Sequence, residues 1–467
     1  MDYMINFEKN GAPKFDLWWV GLVATLSFTV NANAANQLGL SDLQADTSAS
    51  VRTTCAGLAG QRSRNVLEND LFDACRSMVQ SENQLLGTGP TSFSRDLTEV
   101  GLGSGLQNIA TEETLSPVRI GVNTTSGQIS TVATRITVLR GGAGGLATNG
   151  FGNSKGYASL KGFGLGGAAG DADSLGAGAL SGFFNTFGGI GDTEQTATED
   201  GSDFYNVGFT VGLDYRVLDN LILGLAGGYS HLDLDFDRNI NVGGGSVESD
   251  SYGLTAYGTY YIGGFYVDGM FNYGWANFDL DRNILINSNN PGVPIISRTA
   301  VADPDGDQWT LSLQTGYNFD HGALSYGPYA RIHYRQVQTD SYTESGAGGL
   351  NLAIQEQTAI SLQSIFGAQV SYNWSQSFGV LVPFLRFDWH HEFKDNSRAL
   401  VGQYVSDPRG TSLVAFSSGP DEDYFALNAG ISGVFANGIQ AYFNYNSILG
   451  HDLISGHLFS IGARMNF

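Results

Sequence analysis

The stretch SGHLFSIGARMNF, from Ser455 to Phe467, ends the chain and decides its fold. Its residues alternate between apolar and small or polar, the pattern of a strand with one apolar and one polar face. In a soluble sheet such a strand would be an exposed hydrophobic edge. In a closed membrane barrel both edges are paired and the apolar face meets lipid. The pattern therefore predicts the closing strand of a transmembrane barrel. Its apolar residues are Phe459, Ile461, Ala463, Met465 and Phe467.

The same period of two recurs throughout residues 179–467. The clearest example is DFYNVGFTVGLDYRV, residues 203–217, in which Tyr205, Val207 and Phe209 share one face. About twelve such segments can be counted, an even number as in closed bacterial barrels, and short turns alternate with long acidic connections. We predict an all-β fold, an antiparallel transmembrane β-barrel of about 12 strands. A soluble sandwich or propeller is the alternative, but it would have to bury the outward face.

Composition supports the barrel. The chain has 467 residues, of which 15% are charged and 12% aromatic, with 64 glycines and a mean hydropathy of -0.09. In a membrane barrel, apolar residues alternate with polar ones along each strand, so the mean hydropathy stays near zero. The net charge of -22 argues against nucleic-acid binding, because phosphate backbones attract basic surfaces. The sequence contains no zinc-binding Cys/His pattern and no GxSxG, so it predicts no metal, no cofactor and no enzyme activity.

Residues 1–34 have the pattern of an export signal. Two lysines precede the apolar run LWWVGLVATLSFTV, and small residues lead to a cleavage point between Ala34 and Ala35. Residues 35–94 would then be a short N-terminal segment outside the cytoplasm. Its cysteines, Cys55 and Cys75, are expected to form a disulfide that pins two short helices. Two free thiols are the alternative.

Residues 95–142 have a helical pattern. Ser116-Pro117 is a start signal for its main helix and Gly141-Gly142 a stop signal. Most of its side chains are small and polar, which favours a position in a narrow, water-filled lumen over one in an apolar core or a bilayer. We expect this helix to occupy the barrel lumen as a plug, with Arg135 and Arg140 meeting acidic lumen groups; an exposed linker helix is the alternative. Residues 143–178, rich in glycine and alanine, are expected to be a flexible connection.

Charged residues on the polar faces of the strands are expected to line the lumen. Arg331, His333 and Arg335 could pair with Asp214 or Asp268 there. The run Asp388-Trp389-His390-His391-Glu392 places acid and histidine groups on one strand face, so a hydrolase at the barrel rim is conceivable, although lumen electrostatics is favoured. The predicted lumen residues are Asp214, Asp268, Arg331, His333, Arg335, Arg386, Asp388 and His390.

The order of these features resembles the autotransporter family (type V secretion). The resemblance covers residues 95–467 and rests on NVGFTVGLDYRVLDNLILGLAGGYSH, ALNAGISGVFANGIQAYFNYNSILG and the closing HLFSIGARMNF, with ATRITVLRGG as a linker helix. It implies a barrel in the outer membrane of a Gram-negative bacterium that helps its own N-terminal segment to cross and keeps the linker helix in its pore. Residues 35–94 are too few for the long β-helix that such proteins usually carry.

The resemblance also implies partners. Phe459, Ile461, Met465 and Phe467 would form the C-terminal signal by which such barrels are recognised for insertion. The expected partners are the barrel-assembly machinery, periplasmic chaperones, and outer-membrane lipid and lipopolysaccharide, with the protein itself a monomer. The two alternative functions are a general pore (porin) and a rim hydrolase.

Overall fold

A computed structural model describes residues 37–110, 116–140, 180–196, 199–237, 243–435 and 439–466. Three predicted features lie outside the described residues: the export signal 1–34 with its cleavage point at Ala34 and Ala35, the segment 143–178, and Phe467.

Twelve antiparallel strands of the described chain form a closed barrel. Each strand pairs with its neighbours in sequence, and the last strand pairs with the first, where Phe183 lies opposite Arg464. The predicted fold and the predicted closing strand are confirmed. The strands are β1 Leu180–Thr193, β2 Ser202–Leu218, β3 Leu221–Phe236, β4 Gly245–Ile262, β5 Phe265–Ile286, β6 Asp305–Tyr317, β7 Leu324–Thr339, β8 Gln357–Tyr372, β9 Gly379–Glu392, β10 Asp423–Phe435, β11 Gln440–Leu449 and β12 Ile454–Asn466.

The two ends of the barrel differ. One end has short turns, such as those at residues 219–220 and 263–264; we call it the short-turn end. The other, the long-loop end, carries connections of up to 30 residues, between β9 and β10. Two of these connections contribute a second, four-stranded sheet made of Tyr342–Thr343, Leu352–Ile354, Ala399–Tyr404 and Ser412–Phe416.

The outward face of the barrel is apolar up to a row of aromatic rings. The rings of Phe209, Tyr229, Tyr252 and Trp275 follow one another across β2 to β5, with centroids 5.9, 5.4 and 6.4 Å apart. Aromatic side chains of this kind mark the interface between lipid and water.

Beyond this row, towards the long-loop end, the polarity of the two faces is exchanged. Leu232 and Phe278 point inward and are buried, whereas Asp233 and Asp279 take the outward positions. The strands thus continue past the apolar band and enclose an apolar interior instead of a polar lumen.

Three helices, α1 Asp42–Ala59, α2 Val66–Leu86 and α3 Glu99–Gln107, fill this interior; with their connections they form the N-terminal module, residues 37–110. Capping boxes at Ser41 and Asn65 begin α1 and α2, and Gly87 ends α2 with a φ of 67°. The module shares one apolar cluster with β3, β4 and β5, in which Leu71 and Leu102 are fully buried. None of the described helices is long and apolar enough to cross a bilayer.

The predicted disulfide is wrong. Cys55 on α1 and Cys75 on α2 are buried free thiols that contact each other without being at bonding distance. The two helices need no covalent link, because Leu58 and Leu71 are buried in the shared cluster. An ion pair of 2.6 Å between Arg52 and Glu82 also joins them.

Candidate functional site: the occupied lumen

Helix α4, Ser116–Arg140, lies inside the barrel, and its bounds agree with the predicted start and stop signals. Its side chains are described from Gly127 onward. Arg135 reaches Asp214 close to the end of β2, and Arg140 reaches Asp268 close to the start of β5. Both strand positions adjoin short turns, so α4 runs along the lumen and ends at the short-turn end.

One side of α4 packs on the barrel wall. Val132 and Leu139 are fully buried against a cluster that includes Ile222 and Met270 from the wall. Gly127 lies against the ring of Phe187, where a Cβ atom would come within 2.2 Å of the ring carbons. Small and apolar residues at helical spacing therefore bring the helix against the β1–β5 side of the lumen.

Arg135 forms the most deeply buried ion pair of the lumen helix. Its Nε and Nη2 donate to one carboxylate oxygen of Asp214, at 3.0 and 2.5 Å, and both side chains are 2% exposed. The other Asp214 oxygen accepts from the Ser181 hydroxyl at 2.6 Å. The carboxylate is therefore satisfied by charged and neutral donors together, as a buried charge requires.

Arg140 forms a second ion pair, with Asp268. Thr259 and Gln314 also donate to this carboxylate, at 2.7 and 3.2 Å. The Arg140 guanidinium lies 3.7 Å from the centroid of the Tyr266 ring, a cation–π contact. Two arginines spaced along α4 thus fix the position of the helix along the barrel axis and its rotation about its own axis.

The expectation that Arg331, His333 and Arg335 would pair with Asp214 and Asp268 is wrong, because the helix arginines occupy both carboxylates. Arg331 donates instead to Gln314, at 2.9 and 2.7 Å, and Arg335 lies 3.3 Å from His333. These side chains face the part of the lumen that α4 leaves unfilled. The residues of the predicted set that surround this space are Arg331, His333, Arg335, Arg386, Asp388 and His390.

The acid and histidine groups of β9 have separate hydrogen-bond partners. Asp388 accepts from the Tyr329 hydroxyl, whereas His390 Nδ1 lies 3.5 Å from Gln363 Oε1. A general base needs a neighbour that orients it toward a nucleophile. At the rim, the exposed Asp423 accepts from Trp389 Nε1 at 2.8 Å and lies 3.1 Å from His391 Nδ1.

Sequence reasoning missed the residues that fasten the N-terminal module to the long-loop end. Arg298, in the β5–β6 connection, donates to both carboxylate oxygens of Asp70 at 2.5 and 2.7 Å. Arg95 is 2% exposed and donates to Ser77 Oγ at 2.8 Å and to the Pro294 carbonyl at 2.9 Å. Burial lowers the pKa of Arg95 to about 10.

One sequence signal did point to this attachment. In LDLDFD, residues 232–237, the alternation continues past the aromatic row, but the apolar residues change from the outward to the inward face. An apolar inward face above a polar lumen requires something to cover it.

Comparison with known proteins identifies the family of the barrel. The family model described as the autotransporter beta-domain matches residues 182–446. Esterase EstA of Pseudomonas aeruginosa is 23% identical over 269 residues, which are 56% of this chain and 38% of that protein. A Pseudomonas putida protein, described as uncharacterised and in the trpE-trpG intergenic region, is 27% identical over 209 residues, 44% of this chain and 32% of its own. The chain thus spans about a third of the length of these relatives.

Among solved structures, the translocator domain of the autotransporter NalP from Neisseria meningitidis is similar, with 18% identity and a TM-score of 0.49, over 67% of this chain and 96% of that one. The transport unit of the autotransporter AIDA-I from Escherichia coli has 14% identity and a TM-score of 0.44, over 66% and 97%. The chain belongs to the autotransporter family, whose β-domain forms a barrel in the Gram-negative outer membrane.

Proposed function

We propose that this protein is an autotransporter-type translocator that carries its own N-terminal module across the outer membrane and keeps it attached at the outer face. The observation that carries the proposal is the course of the chain. The module packs at the long-loop end, and α4 ends at the short-turn end beside Asp268. Because long loops of such barrels face outward, the chain would pass from the cell exterior through the lumen to the periplasmic side.

The contacts of the module favour display over release. Asp70 also accepts from the backbone N–H of Gly349 at 2.8 Å, in addition to both bonds from Arg298. The Arg298 hydrogen bonds, more than any other influence, lower the pKa of Asp70. A segment fixed by buried apolar surface and by charge-assisted hydrogen bonds at several loops would stay in place after crossing.

Labelling on intact cells tests the proposed orientation. Arg62→Cys places a thiol on the exposed turn between α1 and α2, and Asp219→Cys places one on a short turn. A membrane-impermeant maleimide should label the first variant on intact cells, and the second only after the outer membrane is permeabilised. Protection of the Arg62→Cys thiol on intact cells would overturn the proposal.

The porin alternative predicts a different response to deletion of the lumen helix. We expect deletion of residues 116–140 to raise the conductance of single barrels in planar bilayers several-fold, because α4 fills the β1–β5 side of the lumen. Unchanged conductance would favour a general pore.

We propose further that the barrel has no catalytic role of its own and that it assembles as a monomer with the barrel-assembly machinery and periplasmic chaperones. The separate hydrogen bonds of Asp388 and His390 support the first part. A rim hydrolase would require His390→Ala to abolish hydrolysis of a short-chain ester or a peptide. We expect the purified chain and this variant to be equally inactive.

A further inference from the structure

The lumen contains a cavity of about 600 Å³ beside α4. The helix packs on the β1–β5 side, and the cavity lies between it and the opposite wall, where β7 and β9 contribute Arg331 and Arg386. Exposed rim residues, including Lys394 and Asn396, also line the cavity, so it opens at the long-loop end.

The cavity wall offers positive charge to a ligand. Arg331 donates to the neutral Gln314, and Arg386 donates to the Thr137 hydroxyl of α4. Within the described residues, neither guanidinium has a carboxylate within 4.0 Å, in contrast to Arg135 and Arg140 on the other side of the lumen. Two arginines without an ion-pair partner, in a chain of net charge -22, point to an anionic occupant.

The two carboxylates of β9 that line the cavity are already hydrogen-bonded, whereas Glu199 and Asp421 line it from the connections at the long-loop end. Asp388 accepts from the Tyr329 hydroxyl. Glu392 accepts from Ser361 Oγ at 2.6 Å and from the backbone N–H of Leu362 at 2.9 Å. These neutral donors hold the two acids in place, so the acids do not form ion pairs with Arg331 or Arg386, whose hydrogen bonds to Gln314 and Thr137 go to neutral groups.

Flat rings line the cavity above the arginines. The ring of His390 stacks on Tyr424 with centroids 4.5 Å apart and planes inclined by 15°, and Tyr424 lies 5.1 Å from His451. His390 Nε2 is buried and has no hydrogen-bond partner in the described part of the chain. Ile129 and Ile365 complete the wall with apolar surface.

We propose that this cavity binds a small organic anion with a flat apolar body, namely an aromatic carboxylate. The planar guanidinium of Arg331 matches the two oxygens of a carboxylate, and the His390–Tyr424 stack offers a face to an aromatic ring. The unpartnered His390 Nε2 supplies a further polar contact at the edge of the ligand. This assignment is independent of whether the N-terminal module is displayed.

Isothermal titration with the full chain in detergent tests the proposal, with benzoate as the probe. We expect benzoate to bind, and benzamide, its neutral counterpart, to bind at least about tenfold more weakly because it cannot form charge-assisted bonds. Arg331→Gln should weaken benzoate binding by a similar factor, and Arg331→Lys by less. Arg216→Gln, which removes a charge outside the cavity, should leave binding unchanged.

Three results would overturn the proposal: no benzoate binding, equal binding of benzamide, or an equal loss in Arg331→Gln and Arg216→Gln. Tyr424→Ala provides a second test if Arg331→Gln does not fold. It removes the stacking face and keeps the charges, so it should weaken benzoate binding and leave acetate binding unchanged. Equal effects on both anions would overturn the aromatic part of the proposal.

Discussion

Arg135 on α4 and Asp214 on β2 form an ion pair in which both side chains are buried, with a distance of 3.0 Å between Nε and Oδ2. The pair joins the lumen helix to the barrel wall and leaves Asp214 dependent on its partner. A buried carboxylate that loses its cation retains its desolvation cost, which exceeds the value of the pair itself.

Removal of Arg135 should therefore loosen the plug. We expect Arg135→Met to destabilise the helix-filled barrel by about 3–5 kcal/mol, the range for a broken buried pair. The midpoint of heat-modifiable migration in gels should fall accordingly. Arg135→Met combined with Asp214→Leu should recover much of the loss; a double variant as unstable as the single one would contradict this account.

Gly127 makes a second point of contact testable. Its Cα lies so close to Phe187 that Gly127→Ala would force the ring or the helix to move. Alanine favours a helix over glycine by about 1 kcal/mol, but overpacking costs about 1–3 kcal/mol. We expect Gly127→Ala to lower the thermal midpoint, whereas Ser130→Ala, at a half-buried position facing the cavity, should not. When Phe187 is also replaced by alanine, Gly127→Ala should no longer lower the thermal midpoint, because the ring that the new Cβ atom meets is absent.

Attachment of the N-terminal module should depend on pH. The Arg298 hydrogen bonds lower the pKa of Asp70, so this carboxylate stabilises the docked state at pH values above its unfolded pKa of about 3.9. That contribution is lost as the pH falls through the lower, folded value. The protection factors of the α2 amides, which correct for the pH dependence of intrinsic exchange, should therefore fall as the pH drops below about 4, and Arg298→Met should abolish the Asp70-dependent part of the change.

Asp46 provides the matched control for this pH experiment. Burial, followed by repulsion from Asp42, raises the pKa of Asp46. Protonation of Asp46 therefore stabilises the module as the pH falls, opposite in sign to Asp70. Asp46→Asn should make the acid-induced loosening larger, and a smaller effect in this variant would contradict the assignment.

The sequence predicts the barrel well because lipid imposes the same rule on every strand. Tyr205, Val207 and Phe209 alternate with small polar residues for that reason alone, and no knowledge of partners is needed. The start and stop of α4 are likewise local signals. The pairing of Asp214 with Arg135 is different, since it depends on the rotation of a helix against a wall 79 residues away. Several lumen cations could have filled that role.

The inward apolar face of LDLDFD, residues 232–237, indicates that something covers it, but no local sequence signal identifies the ion pair that attaches the module. Asp70 and Arg298 are 228 residues apart, and each alone reads as an exposed charge. The cysteine error has a related cause. Cys55 and Cys75 contact each other because two helices pack, and the sequence alone does not distinguish such a contact from a disulfide, which requires the two sulfur atoms to be at bonding distance.

The free thiols can be counted directly. Burial, and next the hydrogen bond that Cys75 donates to Cys55, raises the pKa of Cys75, so its thiol should react slowly in the folded protein. We expect the protein, unfolded without reductant, to take up two alkyl groups by mass spectrometry. In the folded state the uptake should be slow. An intact mass two hydrogens lower, with no alkylation, would contradict the free-thiol structure.

Deletion of Phe467 separates strand pairing from recognition by the assembly machinery. The described β1–β12 seam runs from Ser181 opposite Asn466 to Thr193 opposite Ile454, and deletion of Phe467 keeps every one of these pairs. If the terminal aromatic residue is the recognition signal, the deletion should still reduce the heat-modifiable, outer-membrane fraction by an order of magnitude.

Phe459→Ala is the control for that deletion. The Phe459 ring points outward on the same strand and is 44% exposed, so its removal costs lipid contact and one ring contact, with Tyr445 at 5.0 Å between centroids. We expect this variant to assemble nearly normally, although Phe459 and Ile461 belong to the same apolar stripe. An equal loss of assembly in the two variants would place the signal in the apolar stripe as a whole. Normal assembly of the deletion would show that the closing strand is inserted by pairing alone, through the seam that also fixes Phe183 opposite Arg464.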